Sequence, residues 1–300
     1  MTKLRYLVSL ITKDNDYQME QAASARAAAA ELGVDVEIVY AENDAITQST
    51  QLLKVIQADP TLRPSAIIVE PLGATPFPKV ASAAASAGIG WAVINRQPEY
   101  TAELRRAHRS PVFSVSVDQQ EIGRIQGRQF AALLPRGGSV LFVQGPSVSS
   151  VSRERYDGLR QTLPANVQLV NLRGNWTEES AHQSVCSWMK LMRAQKFRID
   201  LIGGQNDVMA MGAKKAVNEF GSDWNRELLA KLPVTGCDGV PRTGQAWVRA
   251  GQMSATVVVP PSAGKAIALM TRALHAKISP ADHTFTTPEP LPSIESLKPI

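Results

Sequence analysis

The stretch LRYLVSLITKDNDYQMEQAASARAAAAELGVDVEIVY, residues 4–40, contains one complete unit of a repeating pattern. A first apolar run predicts a strand over 4–11, and a second predicts a strand over 34–40. The alanine-rich segment between them predicts a helix over 16–32 that ends at Gly33. Strand, helix and strand in this order form the repeating unit of a parallel sheet. The stretch therefore predicts an α/β fold.

The same alternation of strands and helices continues almost to the end of the chain. A chain of 300 residues with 44% hydrophobic content can bury a sizeable core, and chains of this length usually divide it between two lobes. We therefore expect two α/β lobes with parallel sheets. The further predicted strands are 66–69, 91–94, 112–117, 139–144, 167–172, 201–203, 234–236 and 254–259, and the further predicted helices are 45–57, 77–87, 119–134, 152–163, 177–194, 208–220, 240–250 and 261–275.

The composition argues against several classes of protein. The net charge of +5 is small and the cations are spread along the chain, which argues against a nucleic-acid partner. Cys186 and Cys237 are too few for a disulfide framework and lack the spacing of a zinc site. No window approaches the ~18 consecutive apolar residues of a membrane span. The densest group of cations is predicted to be a solvated loop and comprises Arg105, Arg106, His108 and Arg109.

Polar side chains follow the carboxyl ends of six predicted strands. Open parallel sheets bind ligands at that edge. A carbohydrate hydroxyl both donates and accepts, and planar carboxylate, amide and guanidinium groups can bond two neighbouring hydroxyls at once. Tyr17 and Trp176 are placed to stack on the C–H faces of a sugar ring. The six strand ends carry residues 13–17, Glu70, residues 95–97, residues 144–146, residues 205–207 and residues 237–239.

Each of these residues also has an ordinary structural explanation. Asp16 and Asp207 fit helix N-caps, and Trp176 fits a hydrophobic contact ahead of a helix. Asp238 with Gly239 fits a turn. Taken singly, the structural explanations are favoured. Six polar groups at equivalent positions, taken together, favour a binding site.

The order of five short motifs resembles the ribose-binding branch of the type I periplasmic binding proteins. The lobes of that family also form the effector domains of the lactose-repressor family. The resemblance spans nearly the whole chain. The motifs are Asn15-Asp16-Tyr17-Gln18, Asn95-Arg96-Gln97, Ser152-Arg153-Glu154-Arg155 followed by Gly158, QNDVMAMG at 205–212, and Gly236-Cys237-Asp238-Gly239.

The resemblance implies two Rossmann-like lobes joined by three hinge crossings, with a ligand bound in the cleft between the lobes. We expect the N-terminal lobe to contain 1–117 and 261–284, and the C-terminal lobe to contain 118–260 and 285–300. The ligand contacts of the family carry over to residues of matching chemistry. These are Asn15, Tyr17, Arg96, Arg153, Asn206 and Asp238, with Trp176 at a position where the family has an aromatic residue.

Four positions depart from the pattern of the family. Gln18 replaces a stacking aromatic residue, and Asn95 replaces a carboxylate that grips two hydroxyls. Glu70 stands where an amide is common, and Val259 replaces a glutamine. The ligand is therefore not expected to be ribose. Either Glu70 replaces the lost carboxylate, so that Glu70 and Asp238 balance Arg96 and Arg153 and a neutral sugar or cyclitol binds, which we favour. Or a cationic excess remains, and a sugar acid or phosphorylated sugar binds.

The sequence shows no catalytic machinery. It contains no G-x-S-x-G elbow, no phosphate-binding P-loop and no G-x-G-x-x-G fingerprint. The histidines, at 108, 182, 275 and 283, show no ligand spacing. We therefore expect a non-catalytic protein without a cofactor or a metal. Since the first strand begins at Leu4, a DNA-binding helix-turn-helix ahead of it is not expected.

The resemblance also implies partners and a location. The expected partners are a small-molecule sugar or polyol and the membrane permease of an ABC-type importer, with a sensor kinase or chemoreceptor as the alternative. The family implies a periplasmic protein, whereas the N-terminus lacks a signal-peptide cleavage site and leaves a cytoplasmic protein open. We expect a monomer that closes around its ligand by a hinge.

Overall fold

The computed structural model describes residues 3–72, 77–192, 198–220 and 231–299. The chain divides into two compact units. Unit 1 consists of Met1–Val117 and Pro260–Thr286, and unit 2 consists of Asp118–Val259 and Thr287–Ile300. Each unit is therefore built from two separate segments of the chain.

Strands and helices alternate along both units, as the sequence predicts. In chain order they are β1 Arg5–Leu10, α1 Asp16–Leu32, β2 Asp35–Tyr40, α2 Ala45–Ile56, β3 Ala66–Val69, α3 Pro78–Ser86, β4 Gly90–Ile94, α4 Tyr100–Ala107, β5 Val112–Val117, α5 Gln119–Leu133, β6 Gly138–Gln144, α6 Ser150–Thr162, β7 Val167–Arg173, α7 Glu178–Met192, β8 Leu201–Gly204, α8 Asp207–Phe220, β9 Val234–Thr235, α9 Gly244–Arg249, β10 Thr256–Val258, α10 Ala263–Ala276, β11 His283–Thr286 and β12 Glu289–Leu291, followed by a 3₁₀ turn at Ile294–Ser296.

The centre of unit 1 is a six-stranded sheet in the order β11-β5-β4-β3-β1-β2, with every neighbouring pair parallel. Alternate residues of β1 point to opposite faces. Tyr6 and Val8 pack with helices α1 and α10, whereas Leu7 packs with α2 and α3. Because both faces are covered, the central strands read as continuous apolar runs.

Unit 2 contains a four-stranded parallel sheet in the order β7-β6-β8-β9. Phe142 of β6 meets Phe130 of α5 edge to face, with ring centroids 5.9 Å apart. Leu141 and Val143 face the opposite side and pack with helices α7 and α8. β10 pairs with β12 in a separate antiparallel ribbon. The predicted α/β fold with parallel sheets is confirmed in both units.

The first repeat shows how the sequence sets the local structure. Asn15 is the N-cap of α1, and its side chain accepts a hydrogen bond from the backbone N–H of Gln18 at 3.1 Å. Gly33 ends the helix in the left-handed conformation at φ 66°. The N-cap is therefore Asn15 and not Asp16, which lies in the first turn of the helix.

The structure corrects the prediction of a loop around Arg105 and Arg106, which lie in helix α4. Leu104 is buried in the core on the α2 and α3 side of the sheet. Arg105 donates to the carbonyl oxygens of Val112 and Pro280, both at 2.9 Å. The stretch is a short amphipathic helix, and Arg105 donates hydrogen bonds to backbone carbonyls of neighbouring segments.

Other boundaries also differ from the predicted ones. The predicted helix 240–250 is a six-residue helix, α9, because hydrogen bonds to the carbonyl of Val240 form a turn ahead of it. β11 carries unit 1 to Thr286, past the predicted break at 284, because its last residue pairs with Val117. The predicted end of a helix at 194 lies outside the described residues.

The longest described helix, α1, has 17 residues. A membrane-spanning helix needs about 20 mostly apolar residues. None of the helices in the described parts of the chain is long and apolar enough to cross a membrane.

Two glycines allow helices α5 and α6 to touch backbone to backbone. A Cβ atom on Gly158 would lie 1.9 Å from the carbonyl oxygen of Gln120, and one on Gly123 would lie 1.9 Å from that of Arg155. Neither distance is compatible with a side chain. The two glycines therefore fix how closely α6 approaches α5.

We predict that Gly158→Ala destabilises the protein by about 1–3 kcal/mol, the usual cost of overpacking. A loss of stability would point to the close approach of the two helices, since alanine in place of glycine inside a helix normally stabilises a protein by roughly 0.5–1 kcal/mol. Urea denaturation measures the change. Asp157→Ala, at the neighbouring exposed position, is the control and should be neutral or slightly stabilising. Equal stability of the Gly158→Ala protein and the parent would contradict the close approach.

Candidate functional site

Glu70, directly after β3 in unit 1, is the centre of a buried polar network. Its carboxylate accepts from the side-chain amide of Gln18 at 2.9 Å and from that of Asn95 at 2.8 Å. The backbone carbonyl of Glu70 accepts from Gln48 at 2.9 Å. Only 1% of Glu70 is exposed, so its charge requires these donors. Residues after β1, β3 and β4 thus meet at one edge of the sheet.

Arg96 adds a positive charge to this network. Its guanidinium lies 3.9 Å from a carboxylate oxygen of Glu70 and donates to the backbone carbonyl of Asn95 at 2.8 Å. Asn95 has a left-handed backbone with φ 59°, a conformation that asparagine tolerates better than most residues. We call Gln18, Glu70, Asn95 and Arg96 the Glu70 cluster.

Two other predicted contacts lie at the start of α1. Asn15 caps the helix and is half-buried. Tyr17 is 6% exposed, and its hydroxyl donates to the carbonyl of Pro260 at 3.3 Å. Gln18, at the position where the resemblance expects a stacking aromatic residue, instead accepts from the backbone N–H of Ile11 and donates to Glu70. The roles of Asn15 and Tyr17 in binding stay predictions.

Arg155 of α6 is the corresponding centre in unit 2. It is 3% exposed and donates to the side chain of Gln119 at 2.9 Å and to the carbonyl of Gln205. The same guanidinium lies 3.4 Å from a carboxylate oxygen of Asp238 and 5.9 Å from the ring centroid of Trp176, within cation–π range. Four separate segments therefore converge on one guanidinium.

Trp176 and Asn206 are held next to Arg155. Asn206 donates to the backbone carbonyl of Trp176 at 3.0 Å and accepts from the backbone N–H of Met209 at 2.9 Å, which caps α8. Gly145 lies against the indole, where a Cβ atom would come within 2.2 Å of the ring. Trp176 itself is half-buried. One side of the indole is therefore packed against Gly145, and the residue as a whole keeps some exposure to solvent.

Asp207, the residue after Asn206, is buried. It accepts from Thr256 at 2.6 Å and from the backbone N–H of Gly239 at 2.8 Å. Burial raises the pKa of Asp207 well above its usual value, and the nearby carboxylate of Asp238 raises it further. Asp207 is thus a support for the turn that carries Asp238 and not the N-cap considered from the sequence. We call Arg155, Trp176, Asn206, Asp207 and Asp238 the Arg155 cluster.

Arg153, which the sequence predicts as a ligand contact, and Arg155, which it does not, differ in their surroundings on α6, and the role of Arg153 in binding stays a prediction. Arg153, in the first turn of α6, is exposed, and its backbone N–H donates to Ser149. Arg155 faces α5 and joins Asp238. The two arginines are two positions apart, so they point in clearly different directions on a helix. The signal that could have identified Arg155 is Gly158, whose close approach to α5 marks the buried side of α6.

The comparisons with known proteins identify the family. A family model described as a periplasmic binding protein domain matches residues 6–277, so the chain belongs to that family. This confirms the resemblance to type I periplasmic binding proteins.

Individual relatives agree with this assignment. The chain is 30% identical to a xylitol-binding protein of Mycolicibacterium smegmatis over 78% of this chain and 63% of that protein. It is 24% identical to a ribose import binding protein of Haemophilus influenzae over 85% of this chain and 79% of that protein. The chain spans 63% of the length of two of the curated relatives that it matches.

A solved structure shows the same fold. It is an ABC transporter periplasmic solute-binding protein from Actinobacillus succinogenes with bound D-allose, with a TM-score of 0.83 and 22% identity. The match covers 98% of each chain.

We predict that Asp207→Asn removes a pH-dependent cost of folding. Because the pKa of Asp207 is raised in the folded state, the parent loses stability as pH rises from about 4, the usual aspartate value, through the raised value. The asparagine side chain can donate to Thr256 and accept from Gly239, so both contacts persist.

The measurement is the free energy of unfolding in urea between pH 4 and pH 8 for both proteins. The advantage of the Asp207→Asn protein should grow as pH rises. A difference that stays constant across this range would contradict the raised pKa. Asp157→Asn, at an exposed position, is the matched control and should follow the parent at every pH.

Proposed function

We propose that this protein binds a small polyhydroxylated molecule, a monosaccharide or a cyclitol, without transforming it. The observation that supports this most directly is the pair of polar clusters after the carboxyl ends of the parallel strands, one in each unit. The hinge closure around a ligand that the family resemblance implies is part of this proposal. The xylitol and ribose names of the relatives agree with this ligand class.

The chemistry of both clusters suits hydroxyl groups. Carboxylates accept more than one hydrogen bond on each oxygen, so Glu70 and Asp238 can accept from a ligand while they keep their present partners. The guanidinium of Arg96 donates in a plane and can bridge adjacent oxygens. Trp176 offers a partly open ring for the C–H face of a sugar.

The balance of charge favours an uncharged ligand. Arg96 lies beside Glu70, and Arg155 lies beside Asp238, so each cluster contains its own counter-charge. This differs in one detail from the balance proposed from the sequence, which paired Arg153 with Asp238. Arg153 is exposed to water and does not leave an uncompensated buried cation. A sugar acid or phosphorylated sugar is the alternative ligand.

The proposed partner is the membrane permease of an ABC-type importer, and the proposed location is extracytoplasmic. The family and the import function named for the ribose-binding relative support both statements. Ligand-dependent stimulation of ATP hydrolysis by the permease in vesicles tests the partner. If the loaded protein instead activates a sensor kinase or chemoreceptor, the importer assignment is wrong.

We predict that one class of neutral sugars, inositols or sugar alcohols raises the melting temperature. Ligand at a hundredfold excess over its dissociation constant should add about 2.7 kcal/mol of stability. The screen compares pentoses, hexoses, inositols and sugar alcohols with sugar acids and sugar phosphates. Stabilisation by the acidic compounds alone would contradict the neutral ligand, and turnover of the bound compound would contradict a binding protein.

We predict that Asp238→Asn weakens binding of the compound found in that screen by about 10- to 100-fold, the range for loss of a hydrogen bond to a charged group. The asparagine oxygen can still accept from Arg155, but the buried guanidinium loses its counter-charge, so the free protein should fold and melt somewhat below the parent. Isothermal titration calorimetry measures the affinity. Asp157→Asn is again the control and should bind normally. An unchanged affinity of the Asp238→Asn protein would remove Asp238 from the site.

A further inference from the structure

His182, Cys186 and Glu219 lie together on the face of unit 2 formed by helices α7 and α8. His182 and Cys186 are one helical turn apart on α7, and Glu219 comes from the last turn of α8. One ligand atom from each residue lies within 4.8 Å of the others. In the described ranges, this is the one group of three or more such residues with atoms this close.

The distances resemble those between the ligands of a tetrahedral metal ion. The imidazole Nε2 is 3.7 Å from the Cys186 Sγ and 2.7 Å from a carboxylate oxygen of Glu219. Around a tetrahedral Zn²⁺, bond lengths of about 2.0–2.3 Å place a nitrogen and a sulfur about 3.6 Å apart and a nitrogen and an oxygen about 3.3 Å apart. The nitrogen and sulfur already have this separation. Glu219 must retreat by about 0.6 Å on these bond lengths, which an exposed side chain can do.

One side of this group of three residues faces solvent, since Glu219 is exposed. His182 and Cys186 are half-buried, so a metal ion there keeps one side open to water.

We propose that His182, Cys186 and Glu219 bind one Zn²⁺ ion, with water as the fourth ligand. Nitrogen, thiolate sulfur and carboxylate oxygen are the ligands that zinc takes in proteins. On binding, the thiol releases its proton to solvent and the sulfur bonds to the metal. The ion links α7 to α8. The site is not evident from the sequence because Glu219 is distant along the chain, although His182 and Cys186 have a four-residue spacing on one helix face.

The site is independent of the proposed sugar-binding function. None of its three residues belongs to the Glu70 cluster or to the Arg155 cluster. Loss of zinc binding should therefore leave sugar binding unchanged.

The test is a titration of the metal-free full chain with Co²⁺ and then Zn²⁺. Co²⁺ should produce a thiolate-to-cobalt absorption band and the visible bands of a tetrahedral site, and one equivalent of Zn²⁺ should abolish them. Zn²⁺ should also raise the melting temperature. Absence of the bands, or a band without tetrahedral features, would overturn the proposal.

Three variants assign the ligands: Cys186→Ser, His182→Gln and Glu219→Gln. Cys186→Ser should abolish the thiolate band. Loss of an outer-shell partner weakens metal binding by about 10- to 100-fold, and each of the other two variants should weaken it by more than this. Circular dichroism checks that each variant folds.

The control is Glu178→Gln. Glu178 is an exposed carboxylate that pairs with Lys215 across the same two helices at 3.6 Å. This variant should bind zinc as the parent does. A band that persists in the Cys186→Ser protein would assign the metal to Cys237, which is fully buried, and would overturn the proposal.

Discussion

The guanidinium of Arg155 is the interaction on which the arrangement of unit 2 depends. A charge that is 3% exposed is costly unless it is paired and hydrogen-bonded. The cost is met by Gln119, by the carbonyl of Gln205, by Asp238 and by the ring of Trp176. These groups come from different elements, so the charge can be satisfied only when all of them are in place. The close approach of α6 to α5 makes the first of these contacts possible.

Unit 1 contains a buried anion instead of a buried cation, and hydrogen bonds from neighbouring side chains stabilise it in the same way. Its buried charge is the carboxylate of Glu70, and the amides of Gln18 and Asn95 supply the donors. The two departures from the family pattern at Gln18 and Asn95 are therefore explained together, since both residues serve the same buried anion. Each carboxylate oxygen of Glu70 accepts from one of these amides, so the carboxylate is held in one orientation.

Much of the fold could be predicted from the sequence because strands and helices leave patterns in short stretches of residues. Apolar runs, alanine-rich helices and Gly33 as a helix stop give the alternation of strands and helices. Helix α4 was missed because its charged side chains obscure the single buried face provided by Thr101 and Leu104. β11 and β12 were missed because they are short and half-exposed.

The site could be predicted only in part. The strand ends identify the loops that carry the two polar clusters, since all parallel strands point the same way. Which side chain enters a cluster depends on how the helices pack, and the choice between Arg153 and Arg155 illustrates this. Similarly, Asn15 and Asn206 cap helices where the sequence suggested the following aspartates. The sequence does not specify which of two adjacent residues occupies the cap.

The division of the chain also has a consequence for synthesis on the ribosome. Unit 1 needs α10 and β11, which lie at 263–286, to cover the Tyr6 and Val8 face of its sheet and to complete its edge. From beyond residue 259, unit 2 takes the short ribbon strand β12 and Leu297, which packs on the core around Phe130. The unit that is translated second can therefore assemble nearly all of its structure first. Part of the apolar sheet face of the nascent unit 1 therefore stays uncovered until α10 has been translated, and exposed apolar surface of this kind favours aggregation.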